Sequence, residues 1–399
     1  MESEKVGSAG TPAVDRVTQR LRRCIEGLVG VPATEGNAID RLRNGDEIFP
    51  AMLQAIRSAT GTVDMLTFVY WKGPIATEFA DALTERAAAG VRVRVLLDAI
   101  GARPMEKPLL EQIKAAGGQV EWFRSPGALK PKHLNHRTHR KVLVCDEEVA
   151  FTGGVGIAEE WCGDARNSGE WRDSHFRVRG PAVDGLRAAF AQNWAETGRP
   201  LFDPEIDRFP EQPQCGESTV QVVRGSSDIG WSDIATVFRA LIERATSRVR
   251  VTTAYFNPDD DYIDYLGAAV RRGVEVQVLV PGDNIDKRMS QIVAQEDYQN
   301  LLDTGSQLFT YDTSMLHAKV MTVDGVACVI GSPNVNQRSM NLDEEVALVV
   351  LDPALVAVLD ADFDNDLLTS TPVTAADWAK RGLVQRALER TATLVEDYF

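Results

Sequence analysis

Two short segments of this chain share one pattern, His-x-Lys-x-x-x-x-Asp: His139, Lys141 and Asp146 in HRKVLVCD, and His317, Lys319 and Asp324 in HAKVMTVD. A pair of small residues follows each Asp at the same distance, Gly153-Gly154 in the first copy and Gly331-Ser332 in the second. With only five histidines in 399 residues, chance is a poor account of two matches. Duplication predicts one symmetric pocket where both histidines and both lysines meet, and that set suits phosphoryl chemistry. Attack on a phosphodiester spreads negative charge over its equatorial oxygens, which Lys141 and Lys319 would neutralise in a dry site. An imidazole titrates at about 6.5 when unperturbed, so one can be a neutral nucleophile while the other is a protonated acid. The nucleophile would form a phosphohistidine; the second histidine would protonate the departing alkoxide, then turn base for the water or alcohol that releases the intermediate.

A nucleophilic imidazole needs its other nitrogen held by an acceptor. Candidates lie downstream of each motif: Asp173 in WRDSHF, 34 residues after His139, and Glu345 in NLDEEV, 28 after His317. Asp146 and Asp324 stand at strand ends beside turns and are expected to brace the loop. Gly153, Gly154 and Ser332 end the following strand, where small residues leave room for a ligand to approach the backbone. His133, His136 and His139 are close enough to suggest a metal site, but Lys132, Arg137 and Arg140 among them disfavour a cation. The run reads instead as a basic loop facing phosphate. His175 sits in an alternating strand and reads as structural.

The elements that must position these residues form a repeat of their own. Helix-like Ile48 to Ala59 leads to an apolar strand, Val63 to Trp71, then to helix-like ATEFADALTERAAAG and the strand Val91 to Ala99. In the second half, DIATVFRALIERATS leads to Val249 to Phe256, then YIDYLGAAVRRG and Val274 to Gly282. Gly90 and Gly273 hold the same helix-ending place. Val-rich runs alternating with helices predict a mostly parallel sheet with helices on its faces, one α/β lobe per half. Each motif continues into β-branched residues at strand spacing, so its His and Lys, two apart, should share one face of a strand. Prolines and acids in Arg199 to Ser218 mark the boundary, giving lobes of residues 41–205 and 206–399 after an N-terminal extension, 1–40. In that extension Val14, Val17, Leu21, Ile25 and Leu28 fall on one helical face, with Arg16, Arg20, Arg22 and Arg23 elsewhere. Such a stripe packs on its own protein or lies on a membrane surface.

Composition bounds the function. Hydrophobic residues make up 44% and charged residues 25%, the balance of a folded globular protein. A net charge of −15 repels polyanions at long range, against a nonspecific nucleic-acid binder. Five scattered cysteines, without C-x-x-C spacing, indicate neither a disulfide framework nor a zinc site; Cys145 and Cys328 read as core. The start lacks a basic-then-apolar leader and no apolar run is long enough to span a bilayer, so a cytoplasmic protein is expected.

The second copy, with Gly331, Ser332 and Asn334 completing it, resembles the full signature of the phospholipase D superfamily. The first departs, with Gly156 where the signature has Asn. Within that superfamily the chain is similar to the bacterial cardiolipin synthases, from about Arg41 to near the C-terminus, in NGDEIFPAMLQAIRSA, HRK, FTGG, WRDSHFRVRGPAV, AYFNPD, RRGVEVQVLVPG, MLHAKVMTVDG and GSPNVNQRSM. The resemblance implies two pseudo-symmetric α/β lobes of mixed sheet flanked by helices, with one active site at their interface and no metal or other cofactor required. It implies that Asp173 and Glu345 support the histidines, that His139 is the nucleophile, and that Asn334 contacts the phosphate. The expected activity moves a phosphatidyl group from one phospholipid to the hydroxyl of another, phosphatidylglycerol to cardiolipin plus glycerol. The alternatives are hydrolysis to phosphatidic acid, a nuclease, and a non-enzymatic scaffold, against which the two intact motifs count. Expected partners are phospholipids and a membrane surface, with peripheral attachment to the inner face of the cell membrane.

Overall fold

The two halves of the chain build one continuous sheet. The computed structural model describes residues 12–125, 135–226, 232–286 and 297–379, so Lys132 and His133 lie outside the described residues. After helix α1 (Pro12–Val29), the first half runs β1 (Thr34–Arg43), α2 (Asn44–Ser58), β2 (Thr62–Thr67), α3 (Pro74–Ala88), β3 (Arg92–Asp98), α4 (Lys107–Ala115) and β4 (Gln119–Phe123). It continues through β5 (Val142–Cys145), β6 (Val149–Gly153), β7 (Ser174–Arg179) and α5 (Ala182–Trp194). The second half repeats this order as β8 (Ser218–Gly225), α6 (Asp233–Arg244), β9 (Arg248–Thr252), β10 (Phe256–Asn257), α7 (Asp260–Arg271), β11 (Glu275–Pro281), α8 (297–303) and β12 (Gln307–Tyr311). It closes with β13 (Val320–Val323), β14 (Ala327–Gly331), β15 (Val335–Asn336), α9 (Gln337–Asn341), β16 (Glu345–Leu351), α10 (Pro353–Leu367), β17 (Ser370–Val373) and α11 (Ala375–Ala379).

The fifteen-stranded sheet has the order β17-β12-β11-β9-β13-β14-β16-β8-β1-β7-β6-β5-β2-β3-β4, so β1 and β8 meet at its centre and each half fans outward from them. This corrects the expectation of a mostly parallel sheet. Within this sheet, among the described residues, only β2-β3-β4 and β9-β11-β12 are parallel; the strands between them are antiparallel. In two of these pairs the cause is loop length. Three residues join β5 to β6 and β13 to β14, and so short a connection can only return the chain antiparallel. Both turns take left-handed backbone at equivalent places, Asp146 and Glu147 in the first, Asp324 and Gly325 in the second.

β1 starts ahead of Arg41, where the periodicity ends the extension. Its sequence, TEGNAIDRLR, is polar because it pairs at the seam with β7 on one side and β8 on the other. α1 lays Leu21 and Ile25 into the second half's core beside Val237 and Leu241 of α6, while Val17 and Leu28 stay exposed. The stripe therefore packs on its own chain in part. Cys145 and Cys328 are core residues, as their apolar surroundings predict. No helix among the described residues is long and apolar enough to cross a membrane.

Helix α10 ties the halves together. Asp360 and Asp364 pair with Arg248 and Arg250 of the second half, and Asp362 and Asp366 with Arg41, Arg43 and Arg172 of the first. Arg172 and Asp366 are each 2% exposed and 2.9 Å apart. Removing one member of such a pair strands the other charge in the interior. Asp366→Asn is therefore expected to lower stability by about 3 kcal/mol or more. The check is the urea midpoint, read with the slope of the transition unchanged.

Candidate active site

The site forms where β2 and β9 end and β5 and β13 begin, outside the carboxyl ends of the parallel strands, the usual place for a ligand in open α/β sheets. The sequence pattern put His and Lys on a strand face; the strands begin one residue later, at Val142 and Val320. The extended approach is held instead by the other half of the protein. His139 N–H donates to Glu344 O at 2.9 Å and His317 N–H to Arg172 O at 2.7 Å. Each motif thus lies alongside the segment that carries the opposite half's acid.

The consequence is a crossed pair of histidine–carboxylate contacts. His139 Nδ1 is 2.8 Å from Glu345 Oε1, and His317 Nδ1 is 2.8 Å from Asp173 Oδ2. An ionised carboxylate can only accept, so each ring carries its proton on Nδ1 and leaves the Nε2 lone pair free. The Lys141 ammonium donates to His139 O at 2.8 Å, and that of Lys319 to His317 O. Both histidines and Lys141 line one cavity with Phe68, Trp71, Trp161, Trp171 and Asn334.

The two copies brace their acids differently. The Ser332 hydroxyl donates to Glu345 Oε2. In the first copy the equivalent residue is Gly154, where a Cβ would overlap Asp173 Oδ1; the Ser174 N–H and the Trp161 indole N–H hold that carboxylate instead, at 2.7 and 2.8 Å. This corrects the reading of Gly153 and Gly154 as space for ligand. The room at Gly154 is taken by Asp173, and at Gly153 by the His175 ring. Ser332 likewise faces an acid. Asn334 is different: it lines the cavity, and its buried carboxamide oxygen has no hydrogen-bond partner among the described residues.

Asp146 and Asp324 stand at the far ends of β5 and β13, away from the cavity. Asp146 accepts the backbone N–H of Thr60, Gly61 and Thr62, and Asp324 those of Thr246, Ser247 and Arg248. They brace loops, as their place beside turns predicts. Of the basic run ahead of the first motif, Lys132 and His133 lie outside the described residues, and Arg137 and Arg140 do not line the cavity. Arg137 turns inward to Asp98 at 2.9 Å, and Arg140, fully buried, to Glu344 at 3.1 Å, each satisfying an interior carboxylate. His136 Nδ1 lies 3.1 Å from Leu342 O, and His175 is buried in β7. Among the described residues no group of three or more His, Cys, Asp or Glu could hold a metal ion.

Burial sets the protonation states. It pushes His139 down to about 4 despite Glu345, and His317 down to about 3, helped by Lys319. It also lowers Lys141 to about 7, against the pull of Glu345, and Lys319 to about 8, against that of Asp173. Burial opposes ionisation of Asp173, but His317 and Lys319 outweigh it and hold the carboxyl below its ordinary range. His139 and Lys141 do the same for Glu345. With both lysines charged, both acids ionised and both rings neutral, the cluster sums to zero. An entering phosphodiester makes it negative, which raises the proton affinity of every group in the cluster: it secures the Lys141 proton first and brings the imidazoles nearer to taking one up.

Sequence reasoning missed the aromatic wall. Trp161 and Trp171 pack on His317 with ring centroids 5.1 and 5.4 Å away, and Phe68 on His139 at 5.4 Å. It also missed Asp343, which lines the cavity and is pushed up to about 7 by burial, against Arg338.

Comparison with known proteins agrees with this architecture. The family model described as cardiolipin synthase, phospholipase D-like domain, matches residues 52–167 and 238–367, covering both motifs. Cardiolipin synthase 2 of Bacillus cereus is 32% identical over 89% of this chain and 69% of its own length. The cardiolipin synthase of Clostridium perfringens is 30% identical over 91% of this chain and 77% of its own. The crystal structure of phosphatidylserine synthase from Haemophilus influenzae superposes with a TM-score of 0.72, covering 96% of this chain and all of that one at 15% identity, a likeness of fold. One cavity with crossed histidine–carboxylate pairs, and relatives along most of the sequence, place the chain in a single family: this protein belongs to the phospholipase D-like cardiolipin synthases.

Proposed function

We propose that the protein is a phosphatidyltransferase that converts phosphatidylglycerol to cardiolipin and glycerol through a phosphohistidine. The observation that carries this reading is the crossed pair of neutral imidazoles on one cavity, with the Lys141 ammonium lining it and that of Lys319 bonded behind it to His317 O, in a chain from this family. His139 is the better nucleophile: its side chain is 12% exposed against 6% for His317, which the two indoles cover. His139 Nε2 attacks phosphorus, and the bond from phosphorus to the glycerol oxygen breaks. The His317 imidazolium gives its proton to that oxygen. Neutral His317 then takes the proton of an acceptor hydroxyl, whose oxygen attacks phosphorus and breaks the P–N bond, so the enzyme is regenerated. Lys141, Lys319 and Asn334 carry the phosphoryl oxygens, while Glu345 and Asp173 fix the rings and Asp146 and Asp324 the loops beneath them.

The two halves joined at β1 and β8 act as the two lobes of this site. Attachment to the inner face of the cell membrane is supported by α1, which exposes Val17 and Leu28 beside the exposed Arg16, Arg20 and Arg23. The test is mass spectrometry of the lipids formed from phosphatidylglycerol vesicles in the presence of chelator. Cardiolipin with free glycerol is expected. Phosphatidic acid alone would make the protein a hydrolase, and the absence of any product would reject the assignment.

A further inference from the structure

The cavity is symmetric in its histidines and asymmetric in its walls. Bridges between β-segments fix which residues of the two halves correspond. Tyr70 faces Ile157 as Phe256 faces Val335, and Thr138 faces Glu344 as Leu316 faces Arg172. The Thr67 hydroxyl donates to Val69 O and the Thr253 hydroxyl to Tyr255 O, which makes Val69 and Tyr255 equivalent. Counting from the bridges, Gly156 corresponds to Asn334 and Trp171 to Asp343. All three pairs line the cavity or pack against it. At each position the first half carries an apolar residue and the second a polar one.

The polar wall holds a group that a phosphodiester alone does not need. Phosphate and acyl ester oxygens accept hydrogen bonds and donate none, so a site for them calls for donors. An ionised carboxylate beside them repels the phosphate, and a protonated one adds a single donor while keeping acceptor lone pairs. Yet Asp343, 8% exposed, lines this cavity, held by the Arg338 guanidinium at 3.0 Å and the Arg137 N–H at 3.2 Å. Two oxygens with about four lone-pair sites are only partly used by these donors. Acceptor capacity in an anion pocket has a use where the substrate itself brings O–H groups.

We propose that Asp343 is a specificity-determining residue: the wall of Tyr255, Asn334 and Asp343 seats the polyol head group of the acceptor, while the apolar wall of Val69 and Trp171 takes the glyceride side of the donor. This rests on the phosphatidyltransferase reading and adds the means by which a polyol is chosen over a plain alcohol. Asp343 accepts from the hydroxyl that does not react, which turns the reacting hydroxyl toward His317.

The test supplies the full chain with phosphatidylglycerol vesicles and two competing soluble acceptors at equal concentration, deuterated glycerol and 1-propanol. Mass spectrometry reads labelled phosphatidylglycerol against phosphatidylpropanol. The wild-type protein is expected to favour glycerol, and Asp343→Leu to lower that ratio by about fivefold or more, the weight of one buried hydrogen bond. Asp343→Asn, which keeps an acceptor and the contact to Arg338, should recover part of it. An unchanged ratio in Asp343→Leu, with both rates reduced alike, would mean that Asp343 only holds Arg338 and would overturn the proposal. If the wild-type protein forms no phosphatidylated product from any acceptor, the functional reading itself fails and this inference with it.

Discussion

His139→Ala is expected to abolish turnover, by about 10⁵-fold or more, and to yield no covalent phosphoryl-enzyme from any donor. His317→Ala should lose as much steady-state turnover but behave differently in a single turnover. With a donor whose leaving group is an aryl oxide, departure needs no proton, so the step that uses His317 as an acid becomes dispensable. The adduct on His139 then forms and persists, because nothing deprotonates the acceptor. The measurement is rapid quenching with a phosphorus-labelled aryl phosphodiester, followed by peptide mapping of the acid-labile label. Label on the His139 peptide, stoichiometric in His317→Ala and absent in His139→Ala, is the expected pattern. Label on His317 would reverse the roles, and near-normal turnover in either variant would reject a two-histidine mechanism.

Much of this site can be read from local sequence. The helix-strand repeat is visible because periodicity records which faces are buried, and Gly90 and Gly273 mark equivalent helix ends with backbone φ of 87° and 89°. The motif spacing brings His139 and Lys141, and His317 and Lys319, to the start of equivalent strands. What stays hidden is partnership between the halves. β1 is a seam strand with polar residues, so it carries no strand-like apolar alternation. The pairing of His139 with Glu345 spans 206 residues, and nothing in either neighbourhood records it. Arg140 shows the same limit: between two site residues it reads as a cation for phosphate, yet its guanidinium donates to Glu345 O, Gly225 O, Ala189 O and Glu344 Oε2, welding the first motif to the second half. Trp161 offers only the weak signal of a large aromatic after a glycine-rich turn. Its role follows from Gly154, which leaves Asp173 without the hydroxyl that Ser332 supplies to Glu345.

The crossed pairing makes its own kinetic prediction. Asp173 belongs to the first half by sequence, but it holds the histidine of the second. Asp173→Asn keeps the shape and removes the charge that favours the imidazolium of His317, and it allows the ring to turn to the wrong tautomer. It should lower turnover about 10²- to 10⁴-fold while leaving formation of the covalent adduct from an aryl donor nearly intact, so labelled enzyme accumulates. Glu345→Gln should lose turnover to a similar degree through the opposite step, since His139 then presents a poorly oriented Nε2 and the adduct forms slowly. Pairing within each half would exchange these two phenotypes. The aryl-donor burst in the two acid variants therefore reports which carboxylate serves which ring, and equal bursts in both would contradict the crossing of Glu345 to His139 and Asp173 to His317.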